Sequence, residues 1–220
     1  MIKVENLVKT YGGKVPTQAL KGVSINVEKG EFVALMGRSG SGKSTFLHQL
    51  GLLDVPTSGT IIIDKVDVLS LSEAERTRFR LQHLGYVFQE YALIAEFTAL
   101  ENVYFPAKAF GDDDAKGRAE YLLELVGLKD RVNHYPSEMS GGEQQRVAIA
   151  RSLINNPKIL FADEPTANLD TVSSEIVFKL FQKLNKELKQ TILVVTHEPE
   201  DKKYVDRVIW LKDGLIEKEE

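Results

Sequence analysis

The feature that most constrains this chain is a short stretch, residues 37–45, with the sequence GRSGSGKST. It matches the pattern G-x-x-x-x-G-K-[ST] at every fixed position. An apolar run at residues 32–36 precedes it, and apolar residues at helical spacing follow it from Phe46 to Leu53. A flexible loop rich in glycine and serine could carry the same letters, but the flanking pattern favours a strand, loop and helix in succession.

The residue types in this stretch predict a phosphate-binding loop. Glycines let the backbone bend so that successive N–H groups converge on an anion, at the positive end of the following helix. We expect Lys43 to reach the β- and γ-phosphates of a nucleoside triphosphate as a point charge, and the Ser44 hydroxyl to ligate Mg²⁺. We also expect that no side chain can be accommodated at the glycines. The other residues expected to bind the phosphates are Gly37, Ser39, Gly40, Ser41, Gly42 and Thr45.

Composition excludes several classes of function. The chain has 220 residues, a net charge of −4 with acids and bases interspersed, and no cysteine. A negative net charge with interspersed acids and bases indicates no positively charged surface that could bind nucleic acid, so we expect no nucleic-acid partner. The lack of cysteine excludes disulfides and thiolate catalysis, and it suits a reducing cytosol. The apolar runs are too short to span a bilayer and the first residues do not resemble a signal peptide, so we expect any membrane link to come through another protein.

Strand and helix patterns alternate along the chain and predict an α/β fold with a parallel sheet. We expect an antiparallel β-meander over residues 2–35 that leads into the strand before the loop, and a helical insert over residues 90–155. The chain then forms one domain, in which residues 1–89 and 156–220 make a catalytic core around the insert. The other predicted elements are strands at 60–64, 84–88, 158–164 and 190–196, helices at 72–82 and 172–188, a hairpin at 208–216 and a solvated end at 217–220.

Four residues far apart in sequence fall at the carboxyl ends of predicted strands: Gly37, Gln89, Asp163 and His197. Because open α/β sheets bind ligands beyond the carboxyl ends of their strands, we expect these residues to meet beside the phosphates. Asp163 follows a buried strand and is expected to hold Mg²⁺ through water. Gln89 offers an amide oxygen to Mg²⁺ and a contact to the attacking water.

Two further side chains at this edge are candidates for catalysis. Glu164 can orient and deprotonate the attacking water as a general base. Its alternative role is that of a cap for the helix after Pro165. His197 can bond the γ-phosphate and sense its loss, and its alternative is a satisfied core histidine. No such context surrounds the other histidines, which we expect to be structural: His48, His83 and His134.

A second glycine-rich element opens a helix in the insert, at residues 140–146 with the sequence SGGEQQR. Ser140 followed by Gly141 and Gly142 leaves free N–H groups at the helix start, which predicts a second anion site. One nucleotide does not need two such anion-binding sites. We therefore expect the second site to bind a nucleotide that another subunit holds.

The segment SGGEQ at residues 140–144 resembles the signature motif of ATP-binding-cassette (ABC) ATPases, and the resemblance covers essentially the whole chain. It implies the P-loop NTPase fold of an ABC ATPase, with an N-terminal antiparallel β-subdomain, an inserted α-helical subdomain and ATP as substrate. The other matching segments are the phosphate loop, Gln89 as the Q-loop residue, residues 159–164 as Walker B, residues 168–170 as the D-loop and His197 as the switch histidine.

The same resemblance implies how the nucleotide is held. ABC ATPases form head-to-tail homodimers in which two ATP molecules lie between the phosphate loop of one subunit and the signature motif of the other. Tyr11 becomes the residue that stacks on adenine, although by itself it is typical of a packing or turn residue. Glu143 of the signature and Asp170 of the D-loop join the residues expected at the nucleotide.

Three segments narrow the resemblance to one subgroup. Residues 97–103, 140–151 and 162–170 are similar to ATPases of the lipoprotein-release and macrolide-export type, and a related cell-division ATPase shares much of them. Met139 stands where Leu is usual and Glu143 where Gln is common. We expect the backbone to matter more than the side chain at both positions.

The subgroup implies an integral membrane permease as partner. The chain is then cytoplasmic and peripheral on the inner face of the membrane, and it drives export or lipoprotein release. A non-transport role, in which the pair passes a mechanical signal across the membrane, is the alternative. We expect the segment after Gln89 to contact the permease through exposed apolar residues: Tyr91, Leu93 and Phe97.

Overall fold

The computed structural model describes residues 1–13 and 15–220, which form two β-sheets and six α-helices. The strands are β1 (Ile2–Tyr11), β2 (Thr17–Val27), β3 (Phe32–Met36), β4 (Ser58–Ile63), β5 (Val66–Asp67), β6 (Leu84–Val87), β7 (Ile159–Asp163), β8 (Thr191–Val195), β9 (Arg207–Lys212) and β10 (Leu215–Glu219). The helices are α1 (Lys43–Leu50), α2 (Glu73–His83), α3 (Ala99–Ala109), α4 (Ala115–Leu125), α5 (Gly141–Leu153) and α6 (Thr171–Leu188), with 3₁₀ turns at Lys129–Arg131, Pro136–Glu138 and Pro199–Tyr204.

The six-stranded sheet has the order β10-β9-β3-β8-β7-β6, and all its neighbours are parallel except the β9–β10 hairpin at one edge. Every residue of β3, β7 and β8 is buried. Such strands are covered on both faces, which explains their continuous apolar runs. The carboxyl ends of β3, β6, β7 and β8 therefore lie along one edge, as the α/β prediction requires.

The second sheet contains the antiparallel strands predicted for the start of the chain. It has the order β2-β1-β4-β5 and is antiparallel, with Ile2 of β1 paired to both Val27 of β2 and Ile63 of β4. The predicted antiparallel pairing of β1 and β2 is confirmed, and the chain then leads into β3, which belongs to the parallel sheet and not to this one. A short strand buried on both faces suits the middle of that sheet, whereas β1 and β2 mix buried with exposed residues.

Two apolar cores flank the parallel sheet, and alternate residues of β3 point into each. Phe32, Ala34 and Met36 join a core shared with α3, α4, α5 and α6. Val33 and Leu35 face a core shared with α1 and the antiparallel sheet. The alternation follows from the period of two in a strand. The sheet thus fixes α1 on one side and the helices of residues 90–155 on the other.

Residues 90–155 are helical, as predicted, and α5 packs against α3 and α4 as well as against β6 and α6. The division into a core and a helical subdomain stays a prediction, since one continuous apolar cluster includes both these helices and the sheet. Within the described residues, the longest apolar helical windows fall short of what a bilayer crossing requires.

Two smaller expectations at element ends are wrong. Helix α1 ends at Leu50, and Leu53 lies beyond it with 47% of its surface exposed. The chain end is not merely solvated, because β10 runs to Glu219 and Glu220 exchanges two backbone hydrogen bonds with Val208. The backbone hydrogen bonds between β10 and β9 continue through residues 217–220, whose charged side chains face outward.

Asn102 ties the start of α3 to the preceding loop. Its side chain is 1% exposed, accepts a hydrogen bond from Ile94 N at 2.8 Å, and donates to the carbonyl oxygens of Ile94, Phe97 and Thr98 at 3.0 to 3.1 Å. One amide thereby satisfies four backbone groups of a segment with no regular structure.

Replacing Asn102 by Ala removes the side-chain hydrogen bonds to Ile94 N and Phe97 O, whereas the carbonyl oxygens of Ile94 and Thr98 keep bonds from Phe97 N and Asn102 N. We expect Asn102→Ala to lower the free energy of unfolding by about 2–3 kcal/mol, measured by urea denaturation. The matched control is Asn133→Ala, at an exposed asparagine, with an expected change within about 0.5 kcal/mol. Equal effects of both substitutions would show that Asn102 does not hold the loop.

Candidate active site

The loop of residues 37–42 connects β3 to α1, and two of its glycines have no room for a side chain. A Cβ at Gly37 would lie 2.1 Å from Leu211 O, and one at Gly42 would lie 2.7 Å from Ala19 O; both have positive φ angles, 150° and 104°. The expectation of no space is wrong for Gly40, where no atom lies within 4 Å. There a φ of 77° is what favours glycine.

Lys43 is buried at the start of α1, with 4% of its surface exposed. Its Nζ donates to Gly37 O at 2.9 Å and to Arg38 O at 3.1 Å, and no carboxylate in the described part of the chain pairs with it. A buried ammonium without a counter-charge is costly unless an anion completes its environment. Lys43 therefore has the surroundings of a group that binds an anion.

The neighbouring groups also lack partners in the described chain. Helix α1 has no side-chain cap on Gly42 and no acidic residue in its first turn, so its first N–H groups and positive end remain available to an anion. The Ser41 hydroxyl is buried without a hydrogen-bond partner. Ser39 is exposed on the loop, and Thr45 is half-buried in the first turn.

Asp163 brings the end of β7 to the phosphate loop. The Ser44 hydroxyl donates to Asp163 Oδ1 at 3.0 Å, although 119 residues separate the two in sequence. His48 Nε2 lies 3.4 Å from Asp163 Oδ2. Sequence reasoning missed His48, yet its spacing of four residues from Ser44 puts both on one face of α1.

Glu164 and His197 meet at the ends of β7 and β8. His197 Nδ1 lies 3.3 Å from Glu164 Oε2, and its Nε2 lies 3.2 Å from Glu198 Oε1. The His197 side chain is 51% exposed, so it is no core histidine. A cavity of about 360 Å³ opens beside this pair. The two side chains can therefore reach a solvent-accessible ligand.

Glu164 has a strained backbone, with φ at 43° in the left-handed region. Its N–H donates to Val195 O at 3.0 Å, which fixes this turn to β8. Helix α6 begins at Thr171 and is capped by Asp170, so the alternative role of Glu164 as a helix cap is wrong. Unusual φ values of this kind cluster at functional sites.

Gln89 follows β6, the strand next to β7, and its side chain is exposed. Its carbonyl oxygen accepts a hydrogen bond from Asn168 Nδ2 at 3.3 Å, which joins the Q-loop residue to the D-loop. Arg151 of α5 donates to the carbonyl oxygens of Tyr91 and Ala92. Hydrogen bonds from Asn168 and Arg151 thus tie Gln89 and the segment after it to the D-loop and to α5. Within residues 1–13 and 15–220, the side-chain amide of Gln89 forms no hydrogen bond with Asp163.

The signature segment caps α5. Ser140 accepts from Glu143 N at 3.3 Å, and Glu143 Oε2 accepts from Ser140 N at 2.8 Å, which forms a capping box. A Cβ on Gly141 would lie 2.7 Å from the Tyr91 hydroxyl, and one on Gly142 would lie 2.9 Å from Ser173 Oγ. The two glycines therefore allow the segment to lie close to the Q-loop and to α6.

Comparison with known proteins decides the family. The family model described as ABC transporter matches residues 20–167. The lipoprotein-releasing system ATP-binding protein LolD of Leptospira interrogans is 47% identical, with 98% of this chain and 90% of that protein covered. The chain belongs to the ABC transporter family.

Two other relatives extend this result. The macrolide export ATP-binding/permease protein MacB of Rhodopirellula baltica is 48% identical over 98% of this chain, which spans only 32% of that longer protein. A dimeric ATP-binding cassette of Methanocaldococcus jannaschii, solved in a post-hydrolysis state with ADP and phosphate, superposes with a TM-score of 0.91 at 45% identity, covering 100% of this chain and 98% of that one. The predicted P-loop NTPase fold and ATPase class are confirmed.

Glu143, a departure from the family pattern, has more than a backbone role. Arg131 Nε lies 2.9 Å from Glu143 Oε1. The backbone hydrogen bond from Ser140, followed by the contact with Arg131, lowers the pKa of the Glu143 carboxyl to about 2. The carboxylate is therefore charged and paired within the subunit, while the expectation that the backbone matters more than the side chain at this position stays a prediction.

The expected apolar contact surface of this ABC ATPase also needs correction. Leu93 is half-buried against the helix-side core, and the ring of Phe97 packs edge-on against Phe105 at 5.2 Å. Tyr91 is half-buried as well. The exposed apolar residues of this region are Ile94, Phe105 and Phe110.

Asp201 supports the segment that carries His197. It is 7% exposed and accepts a hydrogen bond from the Thr196 hydroxyl, which in turn accepts from Glu198 N at 3.1 Å. Burial, opposed by the Thr196 hydrogen bond and reinforced by the charge of Glu198, raises the pKa of Asp201 from 3.8 to about 6.

This raised pKa predicts a pH dependence of stability. The folded chain holds the Asp201 proton to a higher pH than the unfolded chain, so the stabilisation is complete below pH 4 and is lost as the pH rises through 6. We expect Asp201→Asn to raise the free energy of unfolding at pH 8 by about 2 kcal/mol and to change it little at pH 4, in urea denaturation without nucleotide. Asp113→Asn, at an exposed aspartate, is the control. The same change at both pH values would contradict the assignment.

Proposed function

We propose that this chain is the ATP-hydrolysing subunit of an ABC transporter of the lipoprotein-release or macrolide-export type. The observation that carries the proposal is the buried Lys43 ammonium, unpaired with any carboxylate of residues 1–13 and 15–220, at the uncapped start of α1. A triphosphate supplies the missing negative charge, and the loop N–H groups and the Ser41 hydroxyl supply its hydrogen bonds. Relatives named LolD and MacB support the subgroup.

The residues near Asp163 fit a magnesium ion. Mg²⁺ prefers oxygen ligands, and the Ser44 hydroxyl and the Asp163 carboxylate are already in contact. Gln89 would add an amide oxygen. When bound, Mg²⁺ neutralises charge that develops on the β- and γ-phosphates.

Glu164 and His197 have different roles at the γ-phosphate. The Glu164 carboxylate takes a proton from the attacking water, whose oxygen bonds to the γ-phosphorus while the bond to the ADP oxygen breaks. His197 orients that carboxylate through its Nδ1 contact at 3.3 Å, and its Nε2 exchanges the contact with Glu198 for a hydrogen bond donated to the γ-phosphate. Lys43 stabilises the charge on the phosphate oxygens. The products are ADP and inorganic phosphate.

The site is completed by a second copy of the chain. Gly141 and Gly142 present helix N–H groups beyond the capping box, and residues 140–142 form no hydrogen bond with the phosphate loop of the same chain in the described residues. A dimeric cassette among the relatives supports a homodimer in which this segment closes over the partner's ATP. An integral membrane permease then receives the motion, with the subunit on the cytoplasmic face of the membrane.

Removing the Lys43 ammonium tests the phosphate site. We expect Lys43→Ala to weaken ATP binding by about 10- to 100-fold, because charged hydrogen bonds to phosphate are lost, as measured by isothermal titration calorimetry. Lys116→Ala, at an exposed lysine, should bind ATP like the wild type. Unchanged affinity in Lys43→Ala would refute the phosphate site.

Removing the charge of Glu164 tests the hydrolytic step. We expect Glu164→Gln to lower ATP turnover by about 100- to 10,000-fold, the contribution of a general base, while ATP binding persists. Light scattering should then show a stable dimer with ATP, because closure precedes hydrolysis. Glu187→Gln, at an exposed position near the end of α6, serves as control. Turnover at the wild-type rate in Glu164→Gln would exclude the general-base role.

A further inference from the structure

The charged side chains around the cavity beside the catalytic pair are mostly acidic. The cavity lies between the ends of β7 and β8, the start of α6 and the 3₁₀ turn Pro199–Tyr204. The carboxyl groups that line it belong to Glu164, Glu175, Glu198, Glu200 and Asp201. The other ionisable side chains in its wall are His197, Lys203 and Tyr204. Negative charge is therefore concentrated next to the proposed position of the γ-phosphate.

Asp201 is the most deeply buried of these carboxyl groups. It is 7% exposed, whereas the other four residues are half-buried or exposed. In residues 1–13 and 15–220, no Lys, Arg or His side chain lies within ion-pair distance of its carboxyl. Because burial without a counter-charge disfavours the ionised form, Asp201 is the group of this cavity that most readily keeps its proton.

The hydrogen bonds of Asp201 suit both protonation states. The Thr196 hydroxyl donates to Asp201 Oδ2 and accepts from Glu198 N at 3.1 Å. Thr196 is itself buried, and its N–H donates to Leu35 O of β3 at 3.2 Å. One carboxyl oxygen can therefore accept from this fixed hydroxyl while the other gains or loses a proton. A change of protonation requires no rearrangement of the turn.

The surrounding charges decide how readily Asp201 ionises. Burial raises the pKa of Asp201 to about 6 against the hydrogen bond from Thr196. The charge of Glu198 adds to this rise, whereas His197 and Lys203 oppose it. Additional negative charge near the cavity acts in the same direction as Glu198 and favours the protonated form.

Two of the other carboxylates already have partners. Glu175 of α6 pairs with Lys179 at 2.8 Å, and Glu164 at the end of β7 lies 3.3 Å from His197. These contacts favour the ionised forms of both carboxylates. Asp201 has no such partner in the described part of the chain, so its protonation is the one most open to the charge of a ligand.

We infer that Asp201 links nucleotide binding to proton binding: the chain takes up a proton from solvent at Asp201 when a nucleoside triphosphate binds, and it holds the triphosphate more tightly while that carboxyl is protonated. The inference rests on the proposed function, since it needs the γ-phosphate beside His197. The phosphate charge opposes ionisation of Asp201, and by reciprocity ionised Asp201 opposes binding. Affinity for the triphosphate then falls as the pH rises from 5.5 to 8. Asp201 touches no phosphate and acts through its charge.

The test measures affinity and proton uptake in the same protein. Binding of adenylyl imidodiphosphate, an ATP analogue that resists hydrolysis, is followed by calorimetry with Mg²⁺ at pH 5.5 and 8. Proton uptake at pH 6.5 is obtained from buffers of different ionisation enthalpy. Between the two pH values, we expect the wild type to lose about threefold more affinity than Asp201→Asn. At pH 6.5 it should take up about 0.2–0.3 proton more than the variant.

Three comparisons assign the effect to Asp201 and the γ-phosphate. Histidine also titrates in this range, so the difference between wild type and Asp201→Asn is used, in which His197 is unchanged. ADP, which lacks the γ-phosphate, should show less than about half of that difference. Asp113→Asn, at an exposed aspartate, should behave like the wild type.

A second variant keeps Asp201 and changes its surroundings. Glu198→Gln removes a charge that raises the pKa of Asp201, so the fall in affinity should begin at a lower pH than in the wild type. Because the Asp201 side chain is retained, this variant tests the inference even where Asp201→Asn does not fold.

The same pH dependence in the wild type and Asp201→Asn would overturn the inference. Equal proton uptake with ADP and with the analogue would do so too, as would an unmoved transition in Glu198→Gln. In each of these cases, binding that is weakened by Lys43→Ala would leave the phosphate site standing. Binding that is indifferent to Lys43, or absent at every pH, would instead contradict the proposed function itself.

Discussion

The buried ammonium of Lys43 is the interaction on which the rest of the site depends. Two loop carbonyl groups orient it, and this loop geometry exists only because Gly37 and Gly42 adopt positive φ angles where a Cβ would strike a neighbouring carbonyl oxygen. The chain therefore holds a charge that its own described residues leave unneutralised. An anionic ligand is the natural completion of this arrangement, and the elements around it serve to bring reactive groups to that ligand.

The parallel sheet brings those groups together. Asp163, Glu164 and His197 follow β7 and β8, which lie on the same side of β3 in the sheet, so separate segments deliver a carboxylate pair and an imidazole to one edge. These positions were predictable, because a buried apolar strand followed by a polar residue is a strong local pattern. The P-loop fold was predictable for the same reason, since strand, loop and helix adjoin in sequence.

Contacts between distant segments were not predictable. The partner of Glu143 is Arg131 and Tyr91 packs against Gly141, but no periodicity in the sequence signals either contact. His48 shares a helix face with Ser44 by its spacing, yet that spacing alone does not identify Asp163 as its partner. The order of the antiparallel sheet escaped prediction because β4 pairs with β1 across more than fifty residues. Side-chain exposure after Gln89 was also misjudged, since packing of Phe97 on Phe105 depends on how α3 folds back.

The pair formed by Glu143 and Arg131 has a consequence for how this ABC ATPase tolerates change. A neutral amide at position 143 would keep the capping geometry but leave a guanidinium facing no opposite charge. The two residues are therefore coupled, but the Arg131 side chain is 46% exposed and water solvates it, so we expect the amide to cost less than about 1 kcal/mol of stability.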